Sequence, residues 1–279
     1  MDTATAPNPT GAIRLLTLNI LGVHADWPRR REALRSGMRA LRPDLLTLQE
    51  TIVRPGFDQV RDILGDEYHV VHSAERHSDG MGTSIASRWP ITSVDNLDFH
   101  VTDRTRGFPC SALLAEVDVP APVGNTLLVN HFPDYQPSHE RERELQTLIV
   151  ARHIEARVAA EPMHVVLAGD LDAEPDAASL RFLAGRQSLG DMSVCYRSAW
   201  EAQHPGQPAL TFTERNPLMA KPTRGWPFQA IDHIFVRCGD DGWPTLRIDS
   251  CQVAFEKPVA GAWASDHFGL VADLAPLVE

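Results

Sequence analysis

Short apolar runs recur along the chain, and most of them finish on a polar residue. They are IRLLTLNI (13–20), DLLTLQE (44–50), YHVVHS (68–73), GTSIASR (82–88), SALLAEVDV (111–119), NTLLVNH (125–131), HVVLAGD (164–170), QAIDHIFVR (229–237) and TLRIDSCQVAF (245–255). Several are apolar on both faces, the pattern of central strands covered from two sides. A helical period replaces it in PRRREALRSGMRAL (28–41), with Pro28 near its start, and in SHERERELQTLIVARHIEARVAA (138–160), where Ser138 is placed to cap the first turn. A shorter helix opens near Asp176 with DAASLRFLA, and the proline-rich stretch 205–227 reads as a long surface loop around a short strand, ALTFT. No repeat, low-complexity tract or linker divides the chain. The expectation is a loose N-terminus over 1–11 and one domain over 12–279, of α+β class, with large sheets packed face to face.

A strand end holds a charged group rigidly while exposing it, so the residues that close the apolar runs are the place to look for chemistry. Asn19 closes LLTLN, Glu50 closes LLTLQE, His131 closes LLVNH, and Asp170 and Asp172 close VVLAGDLD. Asp232 opens IDHIFV, and Asp266 and His267 sit in WASDHFGL. Each alone has an ordinary explanation as a turn residue, a solvated acid or a hydrogen-bonded core histidine. That explanation must be invoked separately at every strand. One site for a hard divalent cation with acid/base groups accounts for all of them.

Charge narrows what such a site acts on. With 26 basic and 37 acidic residues the formal charge is −11, the wrong sign for a general footprint on duplex nucleic acid. An anionic substrate then needs a metal or a local basic patch. No apolar run approaches the roughly 18 residues of a membrane span. The opening MDTATAPNPTGA lacks both the basic start and the apolar core of a signal segment, so a cytoplasmic monomer is expected. Cys110, Cys195, Cys238 and Cys251 are scattered without a CxxC pair, so neither a zinc site nor a dense disulfide framework is suggested, and buried free thiols are expected.

With these residues assembled, the chain resembles the endonuclease/exonuclease/phosphatase superfamily, the deoxyribonuclease I-like metal-dependent phosphoesterases. The likeness runs from Leu16 to Leu274 through LTLNI, LLTLQE, GTSIASRWPI, LLVNHFPD, RELQ (143–146), LAGDLDAEP, TFT with AIDHIFV, and SDHFGLVADL, in family order. The resemblance implies a four-layered α/β/β/α sandwich, two mixed β-sheets packed together with helices outside. It implies Mg²⁺ or Mn²⁺, one or two ions, with Glu50 as principal ligand and Asn19 and Asp266 nearby. It makes Asp170 the carboxylate that orients or deprotonates the attacking water, and His267 the donor to the scissile phosphate. Asp232 then holds that imidazole protonated and correctly turned, and His131 supplies a second donor. Attack is by water directly, without a serine or cysteine nucleophile.

The chain departs from the family pattern at Asp172, where relatives carry an asparagine whose amide donates to phosphate. A carboxylate donates only when protonated. Three readings stay open: a ligand to a second divalent ion beside Asp170 and Asp266, which is the favoured one, a protonated carboxyl, or a shape-keeping substitute. Glu174 reads as a loop acid and Asp176 as a helix N-terminal residue. The loop ERNPLMAKPTRGWPFQ (214–229) offers Lys221 and Arg224 as cations and Trp226 and Phe228 as rings for one wall of a substrate pocket. Arg76 and His77 are a weaker second patch, and the basic residues 29–31 read as the exposed face of the first helix. The partner expected is a small phosphorylated substrate hydrolysed by a phosphatase or phosphodiesterase. An endo- or exonuclease is the alternative, disfavoured by the net charge, and an inactive binding module of the same fold is the third reading.

Overall fold

The first apolar run forms β1 (Ile13–Asn19), and the chain crosses through α1 (Trp27–Leu41) to return parallel to it as β2 (Leu45–Arg54), with Leu16 opposite Leu46. The computed structural model describes residues 11–219, 221–227 and 229–277. The expected loose N-terminus therefore lies, but for Gly11, outside the described residues. A short β3 (Phe57–Asp58) leads into α2 (Gln59–Leu64), capped by the Asp58 carboxylate, and then β4 (His69–Arg76) and β5 (Met81–Ser87) pair as a hairpin. β6 (Ile91–Asp98), β7 (Ser111–Val117) and β8 (Thr126–Phe132) form an antiparallel meander, and α3 (Glu140–Ala160) carries the chain over to β9 (His164–Asp170), parallel to β8. After α4 (Ala178–Leu183) come β10 (Tyr196–Ser198), α5 (Ala199–Gln203), β11 (Asp232–Arg237), β12 (Arg247–Ala254) and β13 (Gly269–Ala275).

The strands make two mixed sheets, ordered β12-β13-β1-β2-β5-β4, with β3 attached to β2, and β10-β11-β9-β8-β7-β6. Each has a parallel pair joined by a crossover helix and antiparallel strands around it, so the two sheets share one plan. Strand alternation explains why the runs are apolar throughout. Leu15, Leu45, Leu113, Leu128, Val166 and Ile234 fill the space between the sheets. Their neighbours face outward, where Leu16, Leu18, Leu46 and Leu48 pack under Leu34, Met38 and Ile63 of α1 and α2. On the other side Val129, Val165 and Leu167 pack under Val150, Ala151 and Ile154 of α3. This is the expected four-layered α/β/β/α sandwich. Among the described residues no helix is long and apolar enough to cross a membrane.

The structure differs from the sequence reading at several elements. β6, absent from the predicted strands, is a second-sheet edge whose burial alternates along its length, so it lacks the continuous apolar signal of an inner strand. β13 is an inner strand, although SDHFGLVADL was read for its resemblance and not among the apolar runs. ALTFT is not a strand; the amides of Thr211 and Phe212 both donate to the carbonyl of Gln229, so the segment is tied locally instead. Ser138 does not cap α3, which begins at Glu140 after His139, because the Ser138 carbonyl and hydroxyl accept from Arg104.

One glycine is dictated by the parallel pair β8/β9. A Cβ on Gly169 would lie 2.0 Å from the carbonyl oxygen of His131, which is backbone and cannot step aside. Gly169→Ala is expected to lower stability by about 3 kcal/mol through forced separation of the strands. A urea midpoint equal to that of the parent protein would refute so close an approach.

Candidate active site

Strand ends from both sheets converge on one cleft, and the amide of Asn19 joins them. At the end of β1, its Nδ2 donates to Glu50 Oε1 (3.1 Å) on the first sheet and to Asp170 Oδ2 (3.0 Å) on the second, while its Oδ1 accepts from the Leu21 amide (3.0 Å). Glu50 reaches the cleft through a bulge. The pairing of β2 with β5 jumps from Leu48↔Ser84 to Thr51↔Gly82, and Glu50 takes φ 56°, a left-handed conformation costing roughly 1–2 kcal/mol for a residue with a Cβ. Asp172 is also left-handed, at φ 50°, and its amide donates to Asp170 Oδ1 (3.3 Å). Both oxygens of Asp170 are thus held by donors.

Asp170 and Asp232 lie directly opposite each other on β9 and β11, a like-charged pair that repels. His267 relieves it. Its Nδ1 is hydrogen-bonded to Asp232 Oδ2 (3.0 Å), its Nε2 lies 3.8 Å from Asp170 Oδ2, and its ring packs on Phe212 at 4.6 Å. Burial alone would lower the imidazole's pKa, but Asp232, Asp170 and Asp266 outweigh it and hold the ring well above its ordinary value, as imidazolium. Burial, helped by Asp232 and Glu50, pushes Asp170 up to about 7 against the opposing pull of His267 and Asn19. Burial and then Asp170 raise Asp172, and burial and then Asp266 raise Glu50.

Above this acidic floor stand aromatic walls. Phe108 packs on Phe132 (4.9 Å) and on Tyr135 (5.0 Å) along one side, and Phe212 and Trp226 line the other, enclosing a cleft of about 330 Å³. The family model described as Endonuclease/Exonuclease/phosphatase family matches residues 16–267. The chain belongs to this family. Its fold is shared by a humanized TDP2 of D. rerio (20% identity, 95% of this chain and 99% of that one, TM-score 0.72). It is shared equally by the endonuclease/exonuclease/phosphatase from Bacteroides vulgatus (17%, 95% and 99%, TM-score 0.73). The catalytic domain of human nocturnin, solved with bound sulfate, is a third (19%, 96% and 95%, TM-score 0.72). No curated protein matches in sequence. Members of the family are phosphoester hydrolases that depend on divalent metals.

Of the residues that resemble the family's functional set, the fold brings Asn19, Glu50, Asp170, Asp172, Asp266 and His267 to the cleft, with Asp232 buried behind His267. His131 stands apart. Alternation along β8 turns its ring to the helix side, where it meets Thr147 of α3 (3.4 Å) and Phe99 edge-on (5.2 Å), away from the cleft. Its neighbour Asn130 points between the sheets instead, accepting from Gln49 Nε2 (2.8 Å) and donating to the carbonyls of Leu48 (3.0 Å) and Ser84 (2.9 Å). In the loop 214–229, Trp226 lines the cleft, as does Thr223, whereas Lys221 and Arg224 are exposed and outside its lining; Phe228 lies outside the described residues.

Two arginines differ from the sequence reading. Arg30, expected on the exposed face of α1, is buried and donates to the carbonyls of Ile20, Leu21, Gly22, His24 and Ala264, tying the loop after β1 to the loop that carries Asp266. Arg76 is spent on the carbonyls of Thr51, Gly80 and Thr83, and His77 pairs with Asp79 at the surface; neither is among the residues that line the cleft. Glu174 accepts from the amides of Gln229 (2.5 Å) and Ala230 (3.1 Å), which fixes the entry to β11. Asp176 lies before Ala177, the residue that precedes α4, and does not cap the helix with its side chain. Apart from Trp226, the aromatic walls (Phe108, Phe132, Tyr135 and Phe212) and the Gln49–Asn130 bridge carried no sequence signal distinguishable from core packing.

The donor set fits a divalent cation. Burial and then the neighbouring Asp266 make Glu50 costly to ionise without a cation, and Arg30 behind it is committed to loop carbonyls. Carboxylate and amide oxygens are the ligands of hard ions such as Mg²⁺ and Mn²⁺. Asp170, Asp232 and His267 also lie within 4.8 Å of one another, but an imidazolium hydrogen-bonded at Nδ1 is a donor and not a ligand.

His131 gives a pH prediction. Burial lowers its pKa from 6.5 to about 3, so the folded state binds the proton less readily than the unfolded chain. Its contribution to stability is complete above the unfolded value of 6.5 and is lost as pH falls toward 3. Between pH 7.5 and 5.5 the wild type should lose about 1 kcal/mol more than His131→Leu, which has nothing to titrate there. Parallel urea midpoints for the two proteins across that interval would contradict the buried, neutral ring.

Proposed function

We propose that the protein is a divalent-metal-dependent phosphoesterase that hydrolyses a small phosphorylated substrate by direct attack of water. The observation that carries this reading is the Asn19-centred contact that places Asp170 between Glu50 and the Asp232–His267 pair at the floor of one cleft. Asp170, with a pKa near 7 and both oxygens positioned, accepts the proton of the attacking water. As the new phosphorus–oxygen bond forms, the bond to the leaving oxygen breaks on the opposite side. The His267 imidazolium, kept charged and turned by Asp232, donates to the phosphate oxygen on which charge accumulates. Glu50 and Asp266 would hold Mg²⁺ or Mn²⁺, with the Asn19 amide N–H positioning Glu50, and the ion would supply charge neutralisation for the phosphate and its leaving oxygen. Asp172 would take the place of a donor amide as a ligand to a second ion, since burial and the nearby Asp170 make its carboxylate costly without a cation, and such a cation would attract phosphate.

The confined cleft, its aromatic walls and the net charge of −11 favour a small substrate over a duplex. Lys221 and Arg224 belong to the loop that bears Trp226 and serve as a cationic rim for an approaching phosphate. A nuclease reading has its own support: the TDP2 of D. rerio has been solved with a single-strand DNA product, and Tyr135 and Trp226 offer rings on which an unstacked base rests.

With Mg²⁺ or Mn²⁺ added, turnover is expected on nitrophenyl phosphate or bis-nitrophenyl phosphate ahead of plasmid DNA, with single-stranded oligonucleotides testing the nuclease reading. Glu50→Ala and His267→Ala should each lower kcat by about 10³-fold, and chelation should abolish turnover. A protein inert on the whole panel, and unaltered by Glu50→Ala, would sink the proposal. Asp172→Asn should change metal stoichiometry or preference; if it raises Mg²⁺-dependent activity with stoichiometry intact, Asp172 only fills the amide's place.

A further inference from the structure

β11 places an acid of the candidate site at one end and a cysteine at the other. Asp232 opens the strand, and Cys238 follows its last residue, Arg237. β10 pairs with it in antiparallel register, Tyr196 opposite Arg237, so the next step sets Cys195 opposite Cys238. The Cys238 amide donates to the Cys195 carbonyl at 2.9 Å, which continues the ladder through this pair. Residues facing each other across such a hydrogen-bonded position have Cα atoms about 5.5 Å apart and side chains on the same face, within the span that a disulfide bridges.

We propose that Cys195 and Cys238 are a redox-sensitive dithiol, a modification site at the edge of the second sheet that a low-molecular-weight disulfide oxidises to a cross-strand disulfide and a free thiol reverses. The two residues divide the work by exposure. Cys195, just before the edge strand β10, is exposed and accessible to the oxidant, while Cys238 is buried beneath it. The Cys238 thiol is pushed up to about 12, by burial first and then by its hydrogen bond with Cys195, so it rests as a thiol; Arg197 and Arg237 nearby favour its thiolate. Cys110 and Cys251 are buried elsewhere, Cys110 against the carbonyls of Phe99 and Thr105, so this pair is the one that register brings together.

The reaction balances in two exchanges. The Cys195 thiolate attacks one sulfur of oxidised glutathione, forming a mixed disulfide and expelling one glutathione thiolate. That thiolate takes up the proton of Cys238, whose sulfur then attacks Cys195 Sγ and releases the second glutathione. Directly opposed Cβ atoms sit about 4.5–5.5 Å apart, slightly beyond the usual disulfide separation, so the bond closes under strain and belongs to the reducible, switching kind. It closes a ring around the chain from 195 to 238. That ring contains the loop bearing Phe212, Thr223 and Trp226, three residues of the cleft wall, together with Asp232. Oxidation therefore ties down the base of the cleft loop without touching the reacting groups.

The test uses the full chain equilibrated with oxidised glutathione and read by intact mass. Expected are a loss of two hydrogens, a non-reducing peptide map joining the 195 and 238 peptides, recovery of both thiols with dithiothreitol, and a Tm raised by a few degrees in the oxidised form. Cys195→Ser, at an exposed position, should remove both the linkage and the Tm shift. A stable glutathione adduct on Cys195 with Cys238 still alkylatable after denaturation, a dimer linked through Cys195, or no oxidation at all would overturn the proposal. None of these readouts depends on phosphoesterase activity.

Discussion

The amide of Asn19 is the point on which the candidate site depends. It is a neutral donor buried among carboxylates, and it bonds to Glu50 on one sheet and Asp170 on the other. Burial of aliphatic side chains is non-directional, so it does not by itself single out one offset between two packed sheets. A hydrogen bond between them fixes their offset. The Gln49–Asn130 bridge, one residue from Glu50 and one from His131, repeats the device deeper between the sheets. Buried polar contacts of this kind require their partners, so a small change of sheet offset is penalised at both places.

Around this junction the charges are arranged to be unequal. Asp232 holds His267 as a cation, His267 moderates Asp170, and Asp170 in turn raises Asp172. Glu50 and Asp266 form a second crowded set on the first sheet. Two carboxylates facing each other would be a defect in an ordinary sheet. Here the imidazolium relieves one pair, and the other matches the ligand chemistry of a divalent ion. Loops at the strand ends are held by buried arginines rather than by core packing: Arg30 binds five carbonyls from two loops, and Arg143 binds the carbonyls of Asp134 and Gln136 beside Tyr135. A guanidinium supplies several donors in one plane, which suits it to collecting carbonyls that have no strand to pair with.

The second sheet links this chemistry to an edge that has none. β11 begins with Asp232 in the interior and ends beside the exposed strand β10, where Cys195 and Cys238 face each other. Its excursion from β10 builds one wall of the cleft before returning to the sheet. The same strand pair therefore anchors the wall and offers the thiols, and the stability of that pairing sets how firmly the wall is held.

Much of this was legible in the chain alone. Apolar runs carry both faces of an inner strand, so the two-sheet core and the crossover helices α1 and α3 could be read locally, and so could polar residues at strand ends. The edge strand β6 escaped because half of its positions face solvent. His131 and Arg30 escaped for a different reason. A histidine closing a strand and an arginine in a helix look alike in sequence whether they face a cleft, a neighbouring helix or a ring of carbonyls. Their direction depends on alternation counted from a register, and register is set by contacts distant in the chain. The same limit applies to Cys195 and Cys238, which are scattered in sequence and adjacent only through the pairing of β10 with β11. Sequence by itself determined which residue types stand at which strand ends; tertiary structure alone decided which of them meet, because that depends on sheet offset, strand alternation and a bulge at Glu50 that no local pattern encodes.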